Sequence, residues 1–457
     1  MTGTSPVDTQ PGQTEAGLPQ MPWLEARTRE LLDEARQRGA DEAEVSISAS
    51  RALSVTARAR RRESVEHEGD RAASLTVYCG KRTGSASTTD LSGDGLRAAL
   101  DQALTIARFT EADDFAGLAD AQLMAREHPE LSLFHPWSLD AERALEMALE
   151  LEAAALDYDA RIVQTEGATV ASRDGISVYG NSHGFVGTER ASQHALSCQP
   201  LARADSGMQR EVAFSQARHA DDLQSVAAVG RLAGERAVSR LGAKTPPTTT
   251  ASVLFTPRVA RGLWGHLIGA ISGGTLYRNA SFLKDKIDES IAIEGLTLSQ
   301  HPHRLRGLAS AAFDGDGVAT RERTLVENGV LRGYVLSAYT ARRLGMTSTG
   351  NAGGVFNLDV APGHDDFDAL VAGMSRGLVV TELMGQGVNL VNGDYSRGAA
   401  GFWVENGEIA YPVENATIAG NLADMYRGID ALGSDVDLGA ALRTPSVLIG
   451  SMTIAGS

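Results

Sequence analysis

The fold of the C-terminal half is decided by two short stretches, Trp403-Val-Glu-Asn-Gly-Glu-Ile409 and Leu325-Val-Glu-Asn-Gly-Val-Leu331. In each stretch an Asn-Gly pair separates apolar, β-prone residues, and this pair favours a type I′ turn in which both central residues take positive φ. Each stretch therefore predicts a β-hairpin. Because short strands and turns continue from Arg321 to the end, we expect a mostly β, barrel-like C-terminal domain.

The chain upstream of these hairpins mixes helical and strand patterns, which predicts an α+β protein. We expect a disordered tail over residues 1–22, which are polar and rich in Pro, Gly and Thr. Two mixed α/β units follow, over residues 23–134 and 135–243. The Pro- and Thr-rich segment that begins at Lys244 indicates a linker, so residues 244–457 form the C-terminal domain.

Hydrophobic periodicity predicts five helices, and strict alternation predicts strands between them. The helices are Trp23–Arg38, a helix capped by Ser92, Leu139–Tyr158 capped by Ser138, Asp221–Leu241, and Pro257–Ile271 capped by Thr256. Arg161–Ala171 and Ile176–Tyr179 are predicted as separate strands. A short repeat, Leu75-Thr-Val-Tyr78 and Ile176-Ser-Val-Tyr179, leaves a duplication of the two units open.

Composition excludes several classes of function. The chain has 42 Lys and Arg against 58 Asp and Glu, so its formal charge is −16, and its pI is about 5.1. A protein this acidic is poorly suited to bind the phosphate backbone, so we expect no nucleic-acid partner. Two cysteines cannot build a disulfide framework. With no basic start followed by an apolar core at the N-terminus, and no long apolar stretch, we expect a cytoplasmic protein without a membrane contact.

Three motifs resemble catalytic or ligand-binding signatures without their full context. Gly180-Asn-Ser182-His-Gly184 matches the nucleophile elbow, but no helical stripe follows it, so a hairpin loop is favoured. Gly393-Asp-Tyr-Ser-Arg-Gly398 has phosphate-loop spacing but lacks the Lys-Ser/Thr pair. Asp314-Gly-Asp-Gly317 starts like a calcium loop but lacks the closing Glu, which favours a turn.

The helix Pro257–Ile271 carries a single histidine, His266, near its packed face. No Asp or Glu occurs from Pro257 to Leu283, so this helix supplies neither a carboxylate base nor a carboxylate ligand. No His-Glu-x-x-His or His-Glu-x-x-x-His motif occurs in the chain. We therefore predict no catalytic residue, no metal ligand and no cofactor in this chain, and we place His266 in the core or at the edge of a cleft.

Tyr395 and Arg397 form a polar pair within the glycine-rich segment Gly393–Phe402. Glycines on both sides let backbones approach closely, as binding of an extended peptide requires. Arg397 can hold a peptide carbonyl or carboxylate with its forked donors, and Tyr395 can stack or donate a hydrogen bond. We predict that Tyr395, Arg397 and His266 contact substrate. The alternative is that Arg397 only braces its loop against a neighbouring acid.

Several stretches together are similar to the TldD/PmbA peptidase family, and within it to the PmbA (TldE) branch. The similarity extends from about Glu44 to Ser457, nearly the whole chain. The stretches are Gly84–Leu91, Leu131–Pro136, Val178–Gly184, Gly265–Gly274, Ser348–Gly354, Val380–Gly387 and, longest, Gly393-Asp-Tyr-Ser-Arg-Gly-Ala-Ala-Gly-Phe-Trp-Val-Glu-Asn-Gly-Glu408.

The resemblance implies a heteromeric zinc peptidase of the cytoplasm that cleaves unfolded peptides, matures a peptide antibiotic and degrades an antitoxin. It implies that a TldD-type partner carries zinc on a His-Glu-x-x-x-His helix with a third cysteine ligand near the C-terminus. Pro257–Ile271 would be the counterpart of that helix, with one histidine and no glutamate, and Ser446–Ser457 contains no cysteine. This chain would then be a subunit without zinc of its own.

Several alternatives stay open at this stage. Extended substrate can pair with exposed strand edges of the β domain through main-chain hydrogen bonds. The chain can instead be a non-proteolytic binding protein that modulates DNA gyrase, the function that the family's older name implies, or an independent hydrolase that uses Ser182. A homodimer in the absence of the TldD-type partner is also left open.

Overall fold

The computed structural model describes residues 17–456, and one antiparallel sheet of seven strands runs through both N-terminal units. Its strands are Glu42–Arg58 (β1), Arg61–Cys79 (β2), Arg82–Thr88 (β3), Ile162–Asn181 (β4), Val186–Ala204 (β5), Gly207–Arg210 (β6) and Ala213–Ala217 (β7). The order is β3-β2-β1-β4-β5-β6, and β7 also pairs with β5. Because β1 pairs with β4 along most of its length, the two predicted units share one sheet.

Four helices cover one face of this sheet. They are Met21–Gln37 (α1), Gly93–Phe109 (α2), Ala141–Leu156 (α3) and Val226–Ser239 (α4). Side chains alternate between the two faces of a strand. Along β1, Val45 and Ile47 pack with α1 and α2, whereas Leu53 and Val55 pack with α3 and α4. Ser46, which lies between Val45 and Ile47, therefore points to the opposite face, toward the C-terminal domain.

The C-terminal domain is built around a closed barrel of five strands, which confirms the predicted barrel-like domain. Its strands are Thr249–Phe255 (β8), Leu298–Gln300 (β9), Arg323–Glu327 (β10), Val330–Leu331 (β11), Leu358–Val360 (β12), Arg376–Met384 (β13), Asp394–Glu405 (β14), Glu408–Asn421 (β15), Ile429–Leu432 (β16) and Val447–Gly456 (β17). The barrel order is β15-β14-β13-β8-β17, and Ala416 to Ala419 of β15 pair with Thr453 to Gly456 of β17 to close it.

Shorter elements complete this domain. The strands β9 to β12 form a separate four-stranded sheet, and β16 pairs with β17. The helices are Pro257–Ala270 (α5), Gly273–Tyr277 (α6), Ala338–Arg343 (α7), Phe367–Ala372 (α8) and Leu422–Arg427 (α9). The mixed α+β class is confirmed. Both Asn-Gly hairpins are also confirmed, because Asn328, Gly329, Asn406 and Gly407 all take positive φ.

Some predicted element bounds are wrong. Asp140, and not Ser138, caps α3 by accepting the Arg143 N–H. The two strands predicted within residues 161–179 are one strand, β4, because pairing with β1 and β5 extends it through Gly175. A short 3-10 turn over Ala220–Asp222 precedes α4, which begins only after its Ser225 cap. Ser92 caps α2 as predicted.

The expected tail over residues 1–22 lies mostly outside the residues that the structure describes. Of its last six residues, Leu18 and Met21 are buried in the N-terminal core, and α1 begins at Met21. Between residues 17 and 456, no helix combines the length and the apolar character that a bilayer crossing requires.

Polar contacts hold the C-terminal domain against the N-terminal sheet. The Tyr339 hydroxyl donates to Asp113 Oδ2 at 2.8 Å. Glu211, which is only 6% exposed, accepts from Arg258 at 3.0 Å and from Arg240 at 3.2 Å. Loss of either arginine would leave Glu211 with less compensation in a buried site, which is costly. These contacts fix the orientation of α5, since Arg258 lies in its first turn.

We predict that Gly401→Ala strongly destabilises the barrel. A Cβ at Gly401 would lie 1.8 Å from the Val379 carbonyl oxygen of the neighbouring strand, so one backbone must move. We expect a loss of about 1–3 kcal/mol or more in the free energy of unfolding, measured by chemical denaturation. Gly69→Ala on β2 is the control, since its Cβ would meet nothing within 4 Å. Equal stability of the two variants would contradict the close approach.

Candidate functional site

Helix α5 follows barrel strand β8 directly and carries His266. Thr256 is its N-cap residue, and Pro257 occupies the first turn, where its missing N–H is not needed. The Thr256 hydroxyl does not cap the helix but donates to the Val380 carbonyl at 3.1 Å. The start of α5 is therefore tied to β13, and the barrel sets the direction of the helix.

The inner face of α5 is anchored by two aromatic side chains. Trp264 donates from Nε1 to Thr444 Oγ1 at 2.7 Å, and its ring stacks on Tyr426 at a centroid distance of 6.1 Å. The Tyr426 hydroxyl donates to the Leu263 carbonyl at 2.7 Å. All of these donors are buried and satisfied, so the helix cannot rotate about its axis without losing several contacts.

The structure brings the three predicted substrate-contacting residues together. The rings of His266 and Tyr395 meet edge to face, with centroids 6.0 Å apart. Tyr395 is only 2% exposed, yet its hydroxyl has no hydrogen-bond partner among the described residues, and neither has His266 Nε2. Buried polar atoms without partners are rare in folded proteins, so this pair is a candidate for ligand contact.

Arg397 lies beside this pair on β14. Its Nε donates to the Met384 carbonyl at 3.1 Å, and within residues 17–456 no carboxylate lies within salt-bridge distance of it. Arg397 therefore does not brace its loop against an acid, which was the alternative left open. We call His266, Tyr395 and Arg397 the His266 cluster.

Burial and charge set the protonation of the cluster. Burial, and then the positive charge of Arg397, lower the pKa of His266 below its ordinary value of 6.5. Burial raises the pKa of Tyr395, and Arg397 opposes that effect only in part. At neutral pH the cluster thus contains a neutral imidazole, a protonated phenol and one cation, Arg397.

The outer edge of β14 is not free to pair with a substrate strand at this cluster. Residues 385–393, which connect β13 to β14, fold back on it: Val388 bridges Tyr395, and the Ser396 N–H donates to the Gly387 carbonyl at 2.6 Å. The other edge pairs with β15. Since β15 and β17 also close the barrel, this part of β14 has no open edge for main-chain pairing with a substrate.

The donors around His266 do not fit a zinc ion. A protein zinc site uses three or four nitrogen, sulfur or oxygen ligands, and α5 contributes one imidazole next to a guanidinium that repels a cation. Over residues 17–456, no group of three or more His, Cys, Asp or Glu side chains is arranged to hold a metal. His266 and its described neighbours therefore do not form a zinc site.

Ser182 lies in the turn between β4 and β5, two antiparallel strands of one hairpin. A nucleophile elbow needs a helix after the serine, and here a strand follows. The Ser182 hydroxyl oxygen accepts the Ala43 N–H at 3.1 Å, and Gly184 takes φ +84°. The predicted hairpin loop is confirmed, and Ser182 lacks the strand-turn-helix context of a nucleophile elbow.

A cavity of about 470 Å³ lies away from the His266 cluster, between the polar face of the N-terminal sheet and two loops of the C-terminal domain. Glu44 on its floor accepts from the Tyr78 hydroxyl at 3.0 Å and from the Tyr179 hydroxyl at 2.8 Å. Burial raises the pKa of Glu44 and Asp316, and that of Asp314 to about 6. The lining has four carboxyl groups and no basic side chain, which disfavours anionic ligands.

Nothing in the charge or motif pattern singled out this acidic cavity, but one signal was available. The short repeat of Leu75–Tyr78 and Ile176–Tyr179 falls on β2 and β4, the two neighbours of β1, and both tyrosines meet Glu44. The turn predicted at Asp314 is confirmed, because its carboxylate accepts three backbone N–H groups, those of Asp316, Val318 and Ala352.

Comparison with known proteins assigns three successive parts of the chain to one protein family. Residues 43–107, 134–241 and 248–456 match, in order, domain 1, the central domain and the C-terminal domain of the PmbA/TldA metallopeptidases. The architecture is thus that of a three-domain metallopeptidase class. The chain belongs to the PmbA/TldD family.

Individual relatives agree with this assignment. The metalloprotease PmbA of Escherichia coli O157:H7 is 45% identical over 416 residues, which cover 91% of this chain and 92% of that protein. A Bacteroides thetaiotaomicron structure named as a modulator of DNA gyrase has a TM-score of 0.89 at 27% identity and covers 94% and 98% of the two chains. TldE of Thermococcus kodakarensis, at 21% identity, has a TM-score of 0.81 with 94% and 100% coverage and shows the fold alone.

We predict that Arg397→Gln raises the pKa of His266, because it removes a positive charge that lowers this pKa. The imidazole titration can be followed by NMR of the whole chain. Arg376→Gln, on the same barrel but bonded to Thr249, is the control and leaves this pKa unchanged. A His266 pKa that is the same in both variants would place Arg397 too far away to act.

The same shift sets the sign of a pH effect on stability. Since the pKa of His266 in the folded state lies below 6.5, the unfolded chain binds the proton more readily. The contribution of His266 to stability is complete above about pH 6.5 and is lost as the pH falls through the folded pKa.

We predict that Ser182→Ala leaves any peptide turnover, measured for this chain alone and with a TldD-type protein added, unchanged. It removes the acceptor of the Ala43 N–H, so we expect a loss of about 1 kcal/mol in the free energy of unfolding. Ser182→Thr keeps the hydroxyl and serves as the matched control. Abolished turnover in a folded Ser182→Ala protein would revive the nucleophile reading.

Proposed function

We propose that this protein is the PmbA/TldE-type subunit of a heteromeric zinc metallopeptidase in the cytoplasm. In this proposal a TldD-type partner contributes the zinc and the hydrolytic residues, and this chain contributes part of the cleft that holds the peptide. Its substrates are unfolded peptides, including an antibiotic precursor and an antitoxin. No residue of this chain is catalytic.

The observation that carries the proposal is the state of α5 within a metallopeptidase fold. The chain has all three domains of the family, yet α5 offers one imidazole and no carboxylate, and Arg397 makes its surroundings positive. A metallopeptidase polarises a carbonyl and activates water with a metal that keeps an open position. A chain that cannot form such a centre needs a second subunit to cleave peptides.

The His266 cluster is the proposed contact of this chain with substrate. Tyr395 and His266 present buried polar atoms without partners, and Arg397 has donors to spare. In this proposal these groups bind and orient a peptide, and the hydrolytic groups come from the partner subunit. A role in binding and positioning follows.

The second candidate is a binding protein that modulates DNA gyrase without proteolysis. It is favoured by the name of the Bacteroides structure. Contact with the gyrase protein is compatible with a charge of −16, whereas contact with DNA is not. A supercoiling assay with the chain alone and with the partner separates this candidate from the peptidase.

We predict that the purified chain alone holds no stoichiometric zinc and cleaves no unfolded peptide, and that addition of a TldD-type subunit gives a zinc-dependent peptidase. Metal analysis by mass spectrometry and a fluorogenic peptide assay measure the two properties. His266→Gln is the control, because it should leave the zinc content of the complex unchanged. Stoichiometric zinc in the isolated chain that disappears in His266→Gln would refute the proposal.

A further inference from the structure

Helix α5 has a glycine-rich face that points away from the core, which we call the bare face. Gly262, Gly265 and Gly269 lie on this face, around His266, and the buried Leu263 and Leu267 lie on the other. A Cβ at Gly262 or Gly265 would meet nothing within 4 Å. The fold of this chain therefore does not require glycine at these two positions, although glycine in a helix interior is unfavourable relative to alanine.

The space over this bare face is bounded on one side by the connection between β13 and β14. A Cβ at Gly269 would lie 3.1 Å from Leu390 Cδ1, which marks where this wall touches the helix. Val391 of the same connection is 56% exposed. Apolar side chains at the wall and open backbone at the floor suit an extended peptide chain.

Independent of the glycines, the His266 cluster indicates what such a peptide carries. The Tyr395 side chain is 98% buried with its hydroxyl unpaired, next to the unpaired His266 Nε2. An unpaired buried polar atom is costly, and a bound group with matching hydrogen-bonding atoms removes that cost. His266 belongs to α5 itself, and the Tyr395 ring meets its imidazole edge to face, so both groups lie at this helix.

The charge of the cluster selects the class of that group. Arg397 uses Nε for the Met384 carbonyl, and in the described part of the chain no acceptor faces its two terminal nitrogens. No acidic residue occurs from Pro257 to Leu283 to neutralise it. The forked donors of an arginine match a carboxylate in geometry and charge.

We infer that the bare face of α5 receives an extended peptide and that Arg397 binds a carboxylate of that peptide, with Tyr395 and His266 at the buried end of the site. The inference rests on the proposed function for the peptide and adds its chemical class. The carboxylate is either the C-terminus of the peptide or an Asp or Glu side chain. Glycine at positions 262 and 265 lets the peptide backbone approach the helix closely.

Three fluorescent peptides of one unfolded sequence without Asp or Glu test this inference. The first has a free C-terminal carboxylate, the second has a C-terminal amide, and the third has the amide and one internal Glu. Fluorescence polarisation measures their affinity for the full chain, alone and with its partner subunit. We expect at least one carboxylate peptide to bind about 10-fold more tightly than the neutral amide peptide, as charge-assisted hydrogen bonds do.

Matched variants assign that preference to the cluster. Arg397→Gln should abolish it, whereas Arg376→Gln, an arginine at the start of β13, should preserve it. Tyr395→Phe should weaken carboxylate binding without lowering the thermal unfolding midpoint, because its hydroxyl makes no bond in the free chain. A purely structural role of Tyr395 would instead lower the midpoint and leave the preference intact.

Gly265→Ala tests the bare face separately. It should raise the unfolding midpoint, since alanine favours the helix and its Cβ has room, and it should weaken binding of all three peptides. Equal affinity for the three peptides, a preference that survives Arg397→Gln, or displacement of the peptides by the partner subunit would overturn the inference. A complex that binds selectively but cleaves no peptide would refute the proposed function alone.

Discussion

At Gly401 the backbone of β14 passes so close to β13 that even one methyl group would collide with the Val379 carbonyl. This approach keeps β14 between β13 and β15, and β15 then reaches β17 to close the barrel. Helix α5 starts where β8 ends, and β8 belongs to the same closed sheet as β14. Barrel closure therefore also places Tyr395 against His266. The His266 cluster thus depends on β14, in which Gly401 lets the neighbouring strand β13 approach closely.

Local chemistry made part of this fold predictable. An Asn-Gly pair determines its own turn, and Pro257 after Thr256 marks the start of α5 without reference to the rest of the chain. The shared sheet was not predictable, because it depends on β1 pairing with β4 across two predicted units. The cap of α3 was misplaced because Ser138 and Asp140 are both good N-cap residues, and packing decides between them.

The candidate site divides in the same way. The lack of acids on α5 and the glycines around Tyr395 are visible in the sequence, and they predicted residues that the structure brings together. The unpaired Tyr395 hydroxyl is not visible there, because it results from burial against α5. The acidic cavity was missed since Glu44 and Asp314 come from distant parts of the chain, and burial between domains raises both pKa values.

The residues on the outward face of α5 bear on whether this chain only supports the fold or also binds a ligand. A helix that only supported the barrel would be more stable by about 1 kcal/mol for each alanine placed at an open glycine position. Gly262 and Gly265 are open, and they flank the one histidine of the helix. Stability alone therefore does not account for the residues of this face, whereas the inferred contact with a peptide backbone would. The same inferred contact would give a role to Arg397, which in a chain of charge −16 has no acidic partner within residues 17–456.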